Sequence, residues 1–295
     1  YTYHLSSKNQ NKKINPGSSV NDQEKITPDI YLDNQVPETD IENHDTYALI
    51  IGNEDYTKYQ TSLSAEANVK FAMNDAKIFK KYCRKTLGIP EENIKLGINR
   101  ISSQMKRDIK WLVSRAKYGG PNVNLIFYYA GHGFPNPENN EKYLMPVDIT
   151  GSQVTDGVKL SKLYNQLVEY KANKVTVFLD ACFSGGGRNQ GLLAARAIKI
   201  EPKKNSINNG NLVVFSGSSG EQEALFHNEK QHGIFTYYLL KKIQETEGNV
   251  TYEALKNYLQ KKVPMKAIDL FYKEQVPEVN ISRDVKNKWK NWKLK

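Results

Sequence analysis

Runs that are apolar along their whole length alternate with stretches of helical periodicity from residue 46 onward. The runs are TYALIIGN, NIKLGIN, NVNLIFYYA, KVTVFLD and NLVVFSG. Strands without a polar face are typical of a sheet that helices cover on both sides, and helical crossovers favour parallel pairing. The sequence therefore predicts an α/β fold, an α/β/α sandwich with a mostly parallel central sheet.

The stretches between these runs have the apolar spacing of amphipathic helices. They predict helices near residues 66–87, 103–118, 160–170, 233–244 and 252–263. Residues 1–45 are rich in Asn, Ser, Lys, Asp and Pro and lack a sustained hydrophobic period, which indicates a linker or pro-segment. We expect one domain over 46–280 and a solvated basic tail over 281–295.

The chain carries a formal net charge of +10, although residues 1–45 hold four lysines against eight acidic side chains. An excess of basic residues can bind nucleic acid or anionic lipid, but we find no recognition motif and expect no nucleic-acid partner. No apolar run approaches the roughly 18 to 20 residues of a membrane-spanning helix, so we expect no membrane span. The first residue is Tyr1, so we expect that an upstream segment has been removed, which leaves a secreted, periplasmic or cytoplasmic location open.

Two cysteines are too few for a disulfide framework, and they lack the paired spacing of a zinc site. We therefore expect no bound metal or other cofactor. Cys83 lies in a predicted amphipathic helix, where a lone cysteine is usually a small buried hydrophobe. Cys182 lies just past the end of the strand KVTVFLD, after Ala181, and precedes several glycines, so it is the candidate for a reactive thiol.

Two predicted strands end in reactive residues. NLIFYYA leads into Gly131, His132 and Gly133, and VTVFLD leads into Cys182. If these strands are neighbours about 4.8 Å apart, an imidazole and a thiol can flank a scissile carbonyl. The thiolate would be the nucleophile and the imidazole its general base. The N–H groups of Gly133 and Cys182 are candidates for the oxyanion site.

YYAGHG and DACFSGGG place His132 and Cys182 50 residues apart and resemble the motifs of the caspase and metacaspase superfamily. ALIIGNEDY and GIFTYYLL are also similar to its bacterial members. The resemblance implies a caspase-like sandwich and a cysteine endopeptidase with a Cys-His dyad. It also implies protein or peptide substrates that are selected by the side chain before the cleaved bond.

Caspases that cleave after aspartate resemble Q-A-C-x-G at the nucleophile, whereas this chain has Asp180 two residues before its cysteine. A carboxylate there disfavours a substrate aspartate and pairs with Arg or Lys, as in the D-x-C-x-S-G pattern of metacaspases. FAMNDAKIF resembles the metacaspase segment that supplies a second acid, which would be Asp75. An ordinary solvent-facing helix acid is the alternative for Asp75, and Asp55 is the substitute candidate. By resemblance, Ser216 and Ser218 would form a pocket wall, chiefly through backbone contacts.

A zymogen that cleaves itself is a further expectation, because the loop over 185–211 offers basic sites. These candidate autocleavage sites are Arg188, Arg196, Lys203 and Lys204. The acidic lead could lie over a basic face of the domain. Residues 183–200 contain no Asp or Glu, so the calcium dependence of many metacaspases is not carried over. A catalytically silent scaffold or signalling module is the alternative function.

The other histidines receive no catalytic role. His4 and His44 lie in the polar lead, and His227 and His232 flank a predicted loop, where we expect capping or exposure to solvent.

Overall fold

The computed structural model describes residues 30–183, 209–220 and 222–295. Its strands are β1 (Thr46–Gly52), β2 (Ile94–Ile98), β3 (Asn124–Ala130), β4 (Gly133–Pro135), β5 (Lys142–Leu144), β6 (Val158–Lys159), β7 (Lys174–Asp180), β8 (Leu212–Ser216), β9 (Phe226–His227), β10 (His232–Gly233) and β11 (Glu278–Ile281). Its α-helices are α1 (Ile30–Asn34), α2 (Ala72–Lys85), α3 (Ser102–Gly119), α4 (Leu160–Val168), α5 (Ile234–Glu245) and α6 (Tyr252–Phe271).

The central sheet has six strands in the order β2, β1, β3, β7, β8, β11. Neighbouring strands are parallel except at one edge, where β11 runs antiparallel to β8. The apolar runs of the sequence form the parallel strands, so the predicted, mostly parallel sheet is confirmed. The sequence analysis does not predict β11, because this short edge strand stays partly exposed and lacks a continuous apolar run.

Alternate residues of each central strand enter two separate cores. In β3, Ile126 and Tyr128 pack into the core under α2, α5 and α6. Leu125 and Phe127 face the opposite core, under α3 and α4. Because successive strand side chains point to opposite faces, a strand that is apolar throughout must be covered on both sides. This arrangement confirms the α/β/α sandwich.

Two helices differ in extent from the sequence prediction. α2 begins at Ala72 instead of Glu66, because residues 65–67 form a 3-10 turn and Phe71 adopts a left-handed conformation with φ of 70°. α6 continues past Pro264 to Phe271. Proline removes one helical hydrogen bond, but its helical neighbours Val263 and Ala267 are fully buried, so packing outweighs that loss. No helix in the described part of the chain is long and apolar enough to cross a membrane.

The described part of the polar lead, residues 30–45, packs along α2, and we call it the strap. Leu32 of the strap is buried in the core. Thr86 Oγ1 donates to Pro37 O at 2.7 Å, and Thr39 N donates to Lys85 O at 2.9 Å. The strap is therefore part of the folded domain, while residues 1–29 lie outside the described residues.

Residues 281–295 also pack onto the domain, so the solvated tail predicted for them is wrong. Val285 and Trp289 are buried, and Trp292 O accepts a hydrogen bond from Tyr252 N at 2.8 Å. The lysines of this segment alternate with apolar side chains, and burial of those side chains beside α6 outweighs the preference of its charges for solvent.

We expect Trp289→Ala to lower the free energy of unfolding by about 3 to 5 kcal/mol, the range for truncating a buried Trp or Phe. Trp289 is 4% exposed, whereas the control residue Tyr118 is 82% exposed. Tyr118→Ala should change the stability by no more than about 0.5 kcal/mol. Urea unfolding of both variants tests the packing, and equal losses would contradict it.

Candidate active site

His132 and Cys182 lie at the same edge of the central sheet because the strands that precede them are paired. β3 and β7 are parallel neighbours, and their last register pair joins Ala130 and Asp180. His132 and Cys182 each follow that pair by two residues, so both leave the carboxyl ends of adjacent strands. Gly131 N donates to Asp180 O at 3.3 Å and extends the contact beyond the strands. Ligands of open α/β sheets bind at this edge.

A backbone carbonyl orients the imidazole of His132. Nε2 lies 2.7 Å from Ala67 O, and a carbonyl oxygen can only accept, so Nε2 carries a hydrogen. In the neutral ring, Nδ1 is then the nitrogen that can accept a proton. The ring also packs against Tyr56, with ring centroids 4.7 Å apart.

Two buried tyrosines hold the backbone of His132. Tyr56 Oη accepts a hydrogen bond from His132 N at 3.0 Å, and Tyr129 Oη donates to His132 O at 2.7 Å. Burial raises the pKa of both phenols above the usual range, so they stay neutral hydroxyl groups. The sequence prediction missed both residues. Their signal was position, since Tyr56 follows the end of β1 and Tyr129 precedes the GHG motif.

Gly133 lies directly against the backbone of Cys182. A Cβ at position 133 would lie 2.6 Å from Cys182 O, so only glycine fits without displacing this backbone. Met145 N donates to His132 O at 2.9 Å, while the next pair of the antiparallel ladder joins Gly133 and Leu144. Hydrogen-bonded and non-bonded pairs alternate in such ladders, so the Gly133 N–H is turned away from β5.

The two predicted specificity acids are buried at the N-terminus of α5. Thr236 donates to Asp180 Oδ2 through Oγ1 at 2.7 Å and through N at 3.3 Å. Gly233 N donates to Asp75 Oδ2 at 3.0 Å. Gly233 and Thr236 are three residues apart, a separation of about 5 to 6 Å on a helix, and the helix dipole favours negative charge there. Asp75 is fully buried, so the solvent-facing alternative considered for it is wrong.

His232 links Asp75 to the strap. Its Nδ1 lies 2.6 Å from Asp75 Oδ1, and its Nε2 lies 2.8 Å from Asp33 Oδ1. Burial lowers the pKa of His232, but the hydrogen bonds and charges of the two carboxylates outweigh it and raise this pKa to about 9. The expectation that His232 is exposed is wrong, because the hairpin of β9 and β10 folds back onto α2. His227 is buried as well.

The other predicted binding residues lie at different places. Asp55 is partly exposed and accepts hydrogen bonds from its own turn, from Lys58 N and Thr57 Oγ1, both at 3.3 Å. Ser218 is close to the candidate nucleophile, because its Oγ donates to Ala181 O at 3.3 Å.

Ser216 points to the opposite face of the sheet from Asp180. Strand alternation places its side chain beside α4, in a pocket of about 300 Å³ that Phe183, Lys142 and Glu278 also line. Burial lowers the pKa of Lys142, and the nearby charge of Glu278 offsets only part of this effect. The Ser216 side chain therefore belongs to a different cavity from the two buried acids.

Cys83 is fully buried, as the sequence predicts, and burial raises the pKa of its thiol. Among the described residues, no cluster of His, Cys, Asp and Glu side chains has the arrangement of a metal site. The candidate autocleavage sites Arg188, Arg196, Lys203 and Lys204 lie outside the described residues.

We expect Asp33→Asn to lower the free energy of unfolding at pH 6 by on the order of 1 to 2 kcal/mol, since one pKa unit corresponds to about 1.4 kcal/mol. The raised pKa of His232 makes this stabilisation complete below about pH 6.5 and removes it as the pH passes about 9. Urea unfolding should therefore show a smaller difference between parent and variant at pH 10 than at pH 6.

Glu38→Gln is the matched control for this measurement. Glu38 lies in the strap and pairs with Lys85 at the surface, away from any buried histidine. Its effect should not follow the titration of His232. If Asp33→Asn cost the same at both pH values, His232 would not be the titrating partner.

The comparisons with known proteins agree with this fold. The caspase domain family model matches residues 45–287, which is most of the chain. Caspase-1 from Spodoptera frugiperda is similar in structure, with a TM-score of 0.56 at 15% identity over 82% of this chain and 90% of that one. A Geobacter sulfurreducens protein has a TM-score of 0.56 at 16% identity over 81% and 93%. No curated protein matches the chain. The family match, together with the fold, shows that the chain belongs to the caspase domain family.

Proposed function

We propose that this caspase-domain protein is a cysteine endopeptidase in which Cys182 is the nucleophile and His132 the general base. One observation carries the proposal: both residues follow the aligned strand pair of Ala130 and Asp180 by two positions. Members of the caspase domain family are generally cysteine peptidases, which supports the same chemistry. A scaffold function would not require an imidazole oriented through Nε2 beside a strand-end cysteine.

In the proposed reaction, His132 Nδ1 accepts the thiol proton, and Cys182 Sγ forms a bond to the carbonyl carbon of the substrate. The N–H groups of Gly133 and Cys182 would stabilise the oxyanion. The C–N bond then breaks, and the imidazolium returns its proton to the leaving amine. Water attacks the thioester with His132 again as the base, which releases the acid and the thiol. Ala67 O and Tyr56 keep the ring in place throughout.

The proposed substrates are proteins or peptides with Arg or Lys before the cleaved bond. Asp180 and Asp75 support this specificity because they bring two carboxylates to one turn of α5, at the edge that carries Cys182. Negative charge in a desolvated site favours a cation and repels a substrate aspartate. Ser218 and the backbone of Ser216 would complete the wall next to Ala181.

Self-cleavage after Arg or Lys within residues 185–211 is the proposed route of zymogen processing. Cleavage within this segment can also come from contaminating proteases. Processing of the parent during incubation, with Cys182→Ala remaining intact, would distinguish the two sources.

We expect Cys182→Ala to abolish cleavage of fluorogenic peptides ending in Arg or Lys, while circular dichroism shows an unchanged fold. His132→Ala should lower kcat by at least about a hundredfold, the lower range for a lost general base, with little change in KM. Cys83→Ala is the matched control and should retain activity, since Cys83 lies in the core. Turnover by Cys182→Ala would mean that another group is the nucleophile.

Asp180→Asn should weaken cleavage after Arg or Lys by about 2 to 5 kcal/mol in kcat/KM, the range for truncating one partner of a buried charge pair. Peptides with a neutral residue at the same position should lose much less. Thr236→Val is the control, because it removes the hydroxyl bond to Asp180 and keeps the carboxylate. Equal losses in the two variants would reduce Asp180 to a structural role.

A further inference from the structure

A buried cluster of three ionisable side chains joins parts of the chain that are distant in sequence. Asp33 comes from α1 in the strap, Asp75 from the first turn of α2, and His232 from β10. Asp75 and His232 are fully buried, and the Asp33 side chain is 13% exposed. Charges at such depth are costly unless they are paired, and His232 pairs with both carboxylates.

The strap holds Asp33 in place through contacts that do not involve the cluster. Tyr82 Oη donates to Leu32 O at 2.8 Å, and Gln244 Nε2 donates to Gln35 O at 2.9 Å. These bonds fix the backbone on both sides of Asp33 to α2 and α5. The strap therefore positions Asp33 next to His232 through bonds that lie outside the cluster.

The charges of the cluster give Asp33 a particular role. A His232 imidazolium that donates from Nδ1 and Nε2 contacts one carboxylate on each side. With Asp75 alone, the imidazolium would cancel the negative charge of that carboxylate. Asp33 adds a second carboxylate and leaves the cluster with one net negative charge. The ring of Tyr237 on α5 also lies near His232, at 6.3 Å between ring centroids.

We propose that Asp33 and His232 are positioning residues that keep the Asp75 carboxylate oriented and the cluster anionic, so that the strap governs binding of a basic substrate side chain. This inference rests on the proposed function, because it assigns the charge of Asp75 to recognition of Arg or Lys. We expect His232 to stay protonated beside Asp75 when the Asp33 charge is removed, so that the cluster becomes neutral. A neutral cluster binds a cation more weakly than an anionic one.

Peptide binding in a Cys182→Ala background tests the inference without requiring turnover. Calorimetry would compare a peptide ending in arginine with the same peptide ending in citrulline, which has nearly the same shape and no charge. We expect the Cys182→Ala protein to bind the arginine peptide more tightly than the citrulline peptide. Adding Asp33→Asn should reduce the ratio of the two affinities about tenfold. Glu38→Gln, which changes another strap carboxylate, should keep the full preference.

If Asp33 had only a structural role, Asp33→Asn would weaken binding of both peptides equally, and that result would overturn the inference. An unchanged preference for arginine in Asp33→Asn would also overturn it, as would the absence of any preference in the Cys182→Ala protein. If Asp33→Asn does not fold, nitrogen NMR of His232 in the parent serves instead. Both ring nitrogens should be protonated at pH 7, and a neutral ring would overturn the inference. Turnover of arginine peptides is measured separately, with the protein that retains Cys182. Failure of the proposed peptidase function can therefore be distinguished from failure of this inference.

Discussion

The parallel pairing of β3 with β7 is the contact on which the rest of the site depends. Its register aligns Ala130 with Asp180, and this alignment places His132 and Cys182 at matching positions beyond the sheet. A shift of one residue would move one of them along the edge by about 3.3 Å and reverse its side. Burial on both faces opposes such a shift, since the apolar side chains of these strands are matched to one of two cores.

Around this pair, a backbone carbonyl and two buried hydroxyl groups hold the candidate general base. Ala67 O directs the imidazole, and the hydroxyls of Tyr56 and Tyr129 hold the backbone of His132. None of these groups has to reorganise during the proposed reaction. Gly133 is held in place as well, because its missing side chain permits the close approach to Cys182 O. The site is therefore organised before a substrate arrives, which is the condition for electrostatic stabilisation of an oxyanion.

The buried acids obey a different constraint, the cost of removing charge from water. Asp180 and Asp75 meet that cost through hydrogen bonds at the N-terminus of α5, where the helix dipole also favours them. His232 compensates Asp75 and contacts Asp33 as its second partner. The chemistry proposed for the substrate pocket thus extends to the strap, which lies next to α2 on the outside of the domain.

Sequence by itself determined the parts of this protein that local patterns encode. Apolar runs with helical crossovers predicted the parallel sandwich, and the residues after two of those runs pointed to His132 and Cys182. Such patterns could not predict the packing of residues 281–295. The lysines of this segment indicate exposure to solvent, and its apolar residues become buried only when α6 is in place.

Only the tertiary structure decided which groups surround the proposed catalytic pair. The carbonyl of Ala67 has no signature in a sequence, because every residue carries one. Asp33 and His232 are 199 residues apart, and each alone resembles an ordinary surface or loop residue. Their contact exists because the strap and the hairpin of β9 and β10 both pack against α2. Long-range burial of charge is a property of the assembled fold, since its cost and its compensation arise only when water is excluded.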